Sequence, residues 1–187
     1  MSFSFQQYNR LRMLQLSKNI TNKDVMSLRT GGKIATALTP IINPHNLKVE
    51  GWFCEDHFNK KTLVLLAQDV RDFVPQGLAV NDHEALTDPD ELIRLQDILK
   101  LGFKLIGKQV VTNNKRRIGK VADYALETTT MVIQKLYVTR PVYRSLTEGQ
   151  LSIDHNQIIE INDKNIIVRE ADIKVEASQP TPAFGVS

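Results

Sequence analysis

One cysteine, one tryptophan and no apolar run long enough to span a bilayer set the first limits on this 187-residue chain. The lone thiol, Cys54, excludes an internal disulfide and suits a reducing compartment. The longest aliphatic stretch, Leu63 to Ala67, falls far short of the ~20 residues a membrane helix needs. Met1-Ser2-Phe3-Ser4-Phe5 lacks the basic-then-apolar layout of a secretory leader, so a cytoplasmic location is expected. Charge of one sign is scarce too. The net charge is +3, with 12 Lys/Arg against 12 Asp/Glu up to residue 100 and 12 against 9 beyond it. The small excess in the second half is compatible with an RNA or anionic partner, and equally with simple solubility.

What the chain does contain is a repeat. Gly32-Lys33-Ile34-Ala35 and Gly119-Lys120-Val121-Ala122 stand 87 positions apart, almost half the chain. That period is too long for a solenoid unit and matches one small all-β domain, so two tandem copies of one module are expected. Farther on, Leu63 matches Leu151, Val70 matches Ile158, Phe73 matches Ile161 and Val80 matches Val168, each 88 apart. Between them, Val49 to Cys54 matches Ile133 to Val138 at 84, which assigns the first copy extra turn residues Asn43-Pro44-His45-Asn46.

Short alternating segments punctuated by Gly, Pro, Asn and Asp predict strands throughout, and many short strands predict a barrel or sandwich. The exception is Asp88 to Gly102. Asp88 suits an N-cap, Pro89 the first helical position and Gly102 a left-handed C-cap, while Leu92, Leu95, Ile98 and Leu99 share one face. The expected layout is a flexible arm over 1–12, a first domain over 13–87, a connecting amphipathic helix over 88–102, a second domain over 103–174 and a disordered tail over 175–187.

Val110 through Asp123, with Ile118-Gly119-Lys120-Val121 at its centre, resembles the opening hairpin of the PRC-barrel family. This small β-barrel is named for the cytoplasmic part of the photosynthetic reaction centre H subunit, and it also forms the C-terminal domain of the small-subunit ribosome maturation factor. Gln157-Ile158-Ile159-Glu160-Ile161 with Asn165-Ile166-Ile167-Val168 resembles its closing hairpin. The likeness covers about residues 13–174, and the first copy departs from it at Ile34-Ala35 and in the 43–46 loop. It implies a mainly β chain of two tandem small barrels joined by one amphipathic helix. It also implies docking and assembly rather than chemistry, and supplies no catalytic residue.

The residues themselves offer few sites. His45, His57, His83 and His155 include no close i, i+3 or i, i+4 pair, so no metal site is expected. Asp154 and His155 are neighbours that a strand would point to opposite faces. Acidic neighbours Glu55 and Asp56 argue against a nucleophilic Cys54. Thr30-Gly31-Gly32-Lys33 lacks the spacing of a phosphate loop and reads as a tight turn. Two partner contacts remain. Lys115, Arg116 and Arg117 sit on an expected hairpin tip, and Trp52 faces outward if Val49, Gly51 and Phe53 face in, where it either packs on the other copy or marks a partner surface.

The expectation is therefore a non-enzymatic protein-interaction or adaptor module without cofactor, whose partner is a protein. The alternative is a ribosome-assembly or RNA-linked factor using the basic hairpin of the second copy. A catalytic site between the two domains is the third possibility.

Overall fold

Apolar stretches broken by Gly, Asn, Asp and Pro pair into hairpins along the chain. The computed structural model describes residues 14–140, 151–170 and 174–175. The strands are β1 (Leu14–Leu16), β2 (Lys23–Ser27), β3 (Lys33–Asn43), β4 (Lys48–Asp56), β5 (Thr62–Leu66), β6 (Val70–Val74), β7 (Gly77–Val80) and β8 (Leu86–Thr87). After the helix α1 (Gln96–Leu101) follow β9 (Gln109–Thr112), β10 (Arg117–Glu127), β11 (Val132–Thr139), β12 (Leu151–Asp154), β13 (Ile158–Ile161), β14 (Asn165–Val168) and β15 (Lys174–Val175). The protein is mainly β. The expected arm lies outside the described residues, as does the expected tail except Val175, which pairs with Leu151.

The pairing pattern occurs twice. β2 runs antiparallel to β3 and parallel to β7, and the remaining ladders join β3 to β4, β4 to β5, β5 to β8 and β6 to β7. β9 runs antiparallel to β10 and parallel to β14, with ladders β10 to β11, β11 to β12, β12 to β15 and β13 to β14. Even the bulges correspond. β3 carries an extra residue at Leu38 and β10 at Ala122, while β4 carries one at Glu50 and β11 at Gln134. Among the described residues the path ends on β13 and β6, so the sheet does not close into the barrels that the resemblance implies.

Register corrects the glycine match. Val25 and Val110 are the buried centres of β2 and β9, and they lie opposite Ala35 and Gly119. Ile34 therefore corresponds to Ile118 and Ala35 to Gly119, 84 apart rather than 87. Both long hairpins turn through equally long tips, so Asn43 to Asn46 is not an insertion. The loop that differs is the one before, residues 28–32 against 113–116. Farther on, the 88-residue register is the one observed, since Cys54 opposes Leu63 as Val138 opposes Leu151.

The two tips meet. Val49 N–H donates to the Met131 carbonyl at 2.7 Å and Ile133 N–H donates to the Leu47 carbonyl at 3.0 Å. These bonds are reciprocal under the 84-residue offset, the geometry of a self-complementary two-fold contact made within one chain. Leu47 and Met131 hold φ of 54° and 59°, a left-handed conformation that branched or bulky residues rarely adopt. The cross-copy bonds fix both. One apolar cluster runs from Ile20 and Val25 through Trp52 and Leu65 to Leu136 and Val168, so the copies share a core. β1 adds to this joint by pairing with β10 of the second copy.

The expected helix over 88–102 is shorter and broken. Asp88 does accept from the Asp90 amide at 3.0 Å, and Gly102 closes the helix with φ of 53°. Between them, 3-10 turns at Pro89–Glu91 and Ile93–Leu95 are separated by Leu92 at φ −86°, ψ 62°, and only Gln96–Leu101 is α-helical. The Gln96 side-chain amide donates to the Pro89 carbonyl at 2.7 Å, which closes the first turn on itself and bends the chain at Leu92. Leu92, Leu95, Ile98 and Leu99 of the expected apolar face are all half-buried, while Ile93, which lies off that face, is 82% exposed.

Candidate partner-binding cleft

The segment after α1 lies where the two copies join. Gly107 N–H donates to the Val121 carbonyl at 2.7 Å, Val121 N–H returns to the Lys108 carbonyl at 3.0 Å, and Leu105 is buried. These bonds pin residues 105–108 against β10 and leave space on either side. Three cavities follow the segment. One of about 480 Å³ is walled by Ser17, Lys18, Thr21 and Asn22, by Thr39, Pro40 and Ile42 of β3, by Phe103 to Ile106, and by Tyr124 of β10. A second, of about 140 Å³, lies between α1 and β3 against Ile98, Leu99 and Phe53. A third, of about 680 Å³, is lined by Leu101, Ile106, Lys104, Lys108, Lys120, Lys164, Gln109 and Asp163. Phe103 and Lys104 border all three. A mostly apolar cavity at a junction between repeated units, with a few polar groups converging on it, is the usual form of a binding site.

The chemistry of this wall is that of binding. Tyr124 is buried, which together with the Asp123 charge raises its phenol well above its ordinary value. Its hydroxyl has no hydrogen-bond partner among the described residues. Asp123 is engaged by the Ser17 amide at 3.1 Å and by the Ser17 hydroxyl, which ties the approach to β2 onto β10. Lys108 Nζ donates to the Asn162 and Asp163 carbonyls at 3.1 and 2.8 Å and sits 4.7 Å from the Phe103 ring centre.

The residues singled out in the sequence lie elsewhere. Arg116 turns back onto Glu170, Nε to Oε1 at 2.9 Å, and Asn114 donates to the same carboxylate. Arg29 pairs with Asp82 at the corresponding place in the first copy. The basic tip is thus half of a repeated clamp that ties a hairpin to the loop beyond the parallel strand. Lys115 holds a left-handed turn with φ of 64°, and Arg117 is exposed. Trp52 faces inward, contrary to the strict alternation expected of β4. It is fully buried edge-on against Phe73, because the extra residue Glu50 inverts the phase between Val49 and Trp52.

Cys54 is buried, and burial pushes its thiol up to about 12 against the opposing effect of a Leu65 backbone hydrogen bond. That is a stronger reason against a thiolate than its acidic neighbours. Among the described residues the one acid–histidine ion pair is Asp56 with His83, Oδ2 to Nε2 at 3.1 Å. Burial alone would raise the fully buried Asp56. The Phe58 amide at 3.0 Å and the neighbouring His83 more than offset it and hold the carboxyl below its ordinary value. This pair lines none of the three cavities. His57 bonds the Thr36 hydroxyl at 2.9 Å and His155 the Ile133 carbonyl at 2.9 Å. Among the described residues no three His, Cys, Asp or Glu side chains are placed to hold a metal ion, and no helix is long and apolar enough to cross a membrane.

No protein-family model matches the chain, and no curated protein matches it.

Proposed function

We propose that the chain is a non-catalytic docking protein of the PRC-barrel type. On this reading two tandem barrel-related units, joined in one open sheet, act as an adaptor in the cytoplasm and seat a protein partner along the segment between them. The observation that carries the reading is the convergence of three cavities on Gly102 to Lys108, where the repeated units meet. The repeated ladder supports the tandem architecture. The separation of the Asp56–His83 pair from the cavities supports binding rather than acid–base chemistry.

Affinity capture from the native cell tests it, comparing the wild-type chain with Thr39→Trp. Thr39 is exposed and borders two of the cavities, so the indole fills them without entering the core. The expected outcome is a protein partner that survives ribonuclease and is lost with Thr39→Trp. A partner set that is the same for both chains overturns the reading.

The lysines of the 680 Å³ cavity favour a second reading, a ribosome-assembly or RNA-linked factor. It requires capture that ribonuclease abolishes and binding that falls steeply with salt, weakened further by alanine at Lys115 and Arg117.

A further inference from the structure

Charge, shape and divergence between the copies all single out the linker groove. Lys18, Lys104, Lys120 and Lys164 line its cavities and make no ion pair among the described residues, whereas Lys33 pairs with Asp24 and Lys60 with Glu55. Asp163 is the single acid on the wall. The equivalent face of the first copy has Lys23, Thr36 and Gln76 where the second has Lys108, Lys120 and Lys164. Positive charge is therefore concentrated on this side of the molecule, beside the cavity floored by Pro40, Ile42 and Leu105.

From this we infer that the groove binds a linear segment of the partner protein in which an apolar side chain is flanked by acidic residues. The inference rests on the docking reading and names the partner's chemistry. An extended occupant fits better than a small molecule, because the cavities succeed one another along the linker. Leu101 and Ile106, 55% and 47% exposed, stand on the rim of the third. A peptide also meets a need of the cavity floor. The Tyr124 hydroxyl is buried without a partner among the described residues, and a backbone carbonyl pressed into the floor is the acceptor it lacks. RNA would need aromatic faces for its bases, and Phe103 already lies beneath Lys108. Lysine heads at the rim steer and orient acidic residues, while the apolar anchor supplies the buried contact.

The test is a random 12-residue peptide display selection against the full chain. Selected peptides should place two or more Asp or Glu beside Leu, Ile or Phe, and a labelled synthetic copy should bind less tightly as salt is raised. Lys104→Glu and Lys120→Glu, both at exposed lysines, should each weaken that peptide about tenfold with circular dichroism unchanged, while Lys61→Glu on a distant turn leaves it alone. Peptides without acids, equal binding by the reversed-charge variants, no selected peptide, or a uridine 20-mer RNA that binds the same lysines more tightly would each overturn the inference. If selection fails while the Thr39→Trp-sensitive capture holds, the peptide chemistry falls and docking stands; if both fail, both fall.

Discussion

The two copies share one ladder and differ in what fills it. At the same ladder position stand Trp52 and Leu136, both fully buried, and one step farther Cys54 and Val138. Ala35 and Gly119 share a second position, Asn43 and Glu127 a third. Pairing has held the buried places apolar while volumes moved between neighbours, as cores allow when total volume is kept. Outer positions were freer. The face that became a lysine-lined groove in the second copy is mixed and weakly charged in the first. Where the copies agree, the residues explain the fold; where they part, they are candidates for function.

The largest test of this comparison is core truncation. Trp52→Ala should cost about 3–5 kcal/mol and Leu136→Ala about 2–5 kcal/mol of unfolding free energy. Because one core joins both copies, Leu136→Ala should lower the Trp52 fluorescence midpoint in urea as far as the far-ultraviolet circular dichroism midpoint, although the indole lies in the other copy. Two separate transitions would show that the copies unfold independently, and the reciprocal tip contact would lose its structural weight.

A smaller effect separates Ala35 from Gly119. A β-carbon at Gly119 would lie 2.0 Å from the Thr139 carbonyl oxygen and 2.9 Å from its carbon, both backbone atoms that cannot swing away. Gly119→Ala should therefore cost about 3 kcal/mol, near the upper end for overpacking. Ala35→Gly removes one methyl and frees the unfolded backbone, for about 1 kcal/mol. Equal losses in chemical denaturation would mean that the strands part freely at this end, and that the glycine is not held by close approach.

These contrasts also show what was legible from residues alone. The repeat and its 88-residue register past Leu63 were readable, because buried aliphatics on short strands recur in order. The caps at Asp88 and Gly102 were readable from local chemistry. The helix between them was not, since Gln96 reaching Pro89 is a choice between two hydrogen-bonding schemes that the apolar period does not distinguish. Trp52 was misplaced because a bulge changes strand phase without a sequence mark. The groove left no motif at all. Lys104, Lys108, Lys120 and Lys164 span 61 residues and meet through the pairing of β9 with β10 and with β14. The Lys115–Arg117 cluster was conspicuous in the sequence, yet Arg116 serves a clamp that the first copy builds from Arg29 and Asp82.

The finest distinction concerns the hairpin tips. In the second copy Glu127 accepts from the Thr129 and Thr130 amides at 2.8 and 2.9 Å and from the Thr130 hydroxyl; in the first, Asn43 accepts from the His45 amide at 3.0 Å. Partial burial would raise the Glu127 carboxyl, but these donors outweigh it and hold it below its ordinary 4.5. A carboxyl lowered on folding stabilises the native state above its unfolded value, and that share is lost as pH falls from about 4.5 through the folded value. Glu127→Gln should cost about 0.5 kcal/mol at pH 7, small because solvent screens an exposed tip, and the variant should converge with wild type once the pH is below the folded value of Glu127. Asn43→Asp should not bring the same acid dependence into the first copy, because the Asn43 amide donates to Glu50 at 3.4 Å and a carboxyl placed there would face that acid with one amide donor in place of three. Urea midpoints measured from pH 7 to 3 read both changes, and parallel curves for Glu127→Gln and wild type would show that the threonine donors hold the tip's shape without favouring its charge.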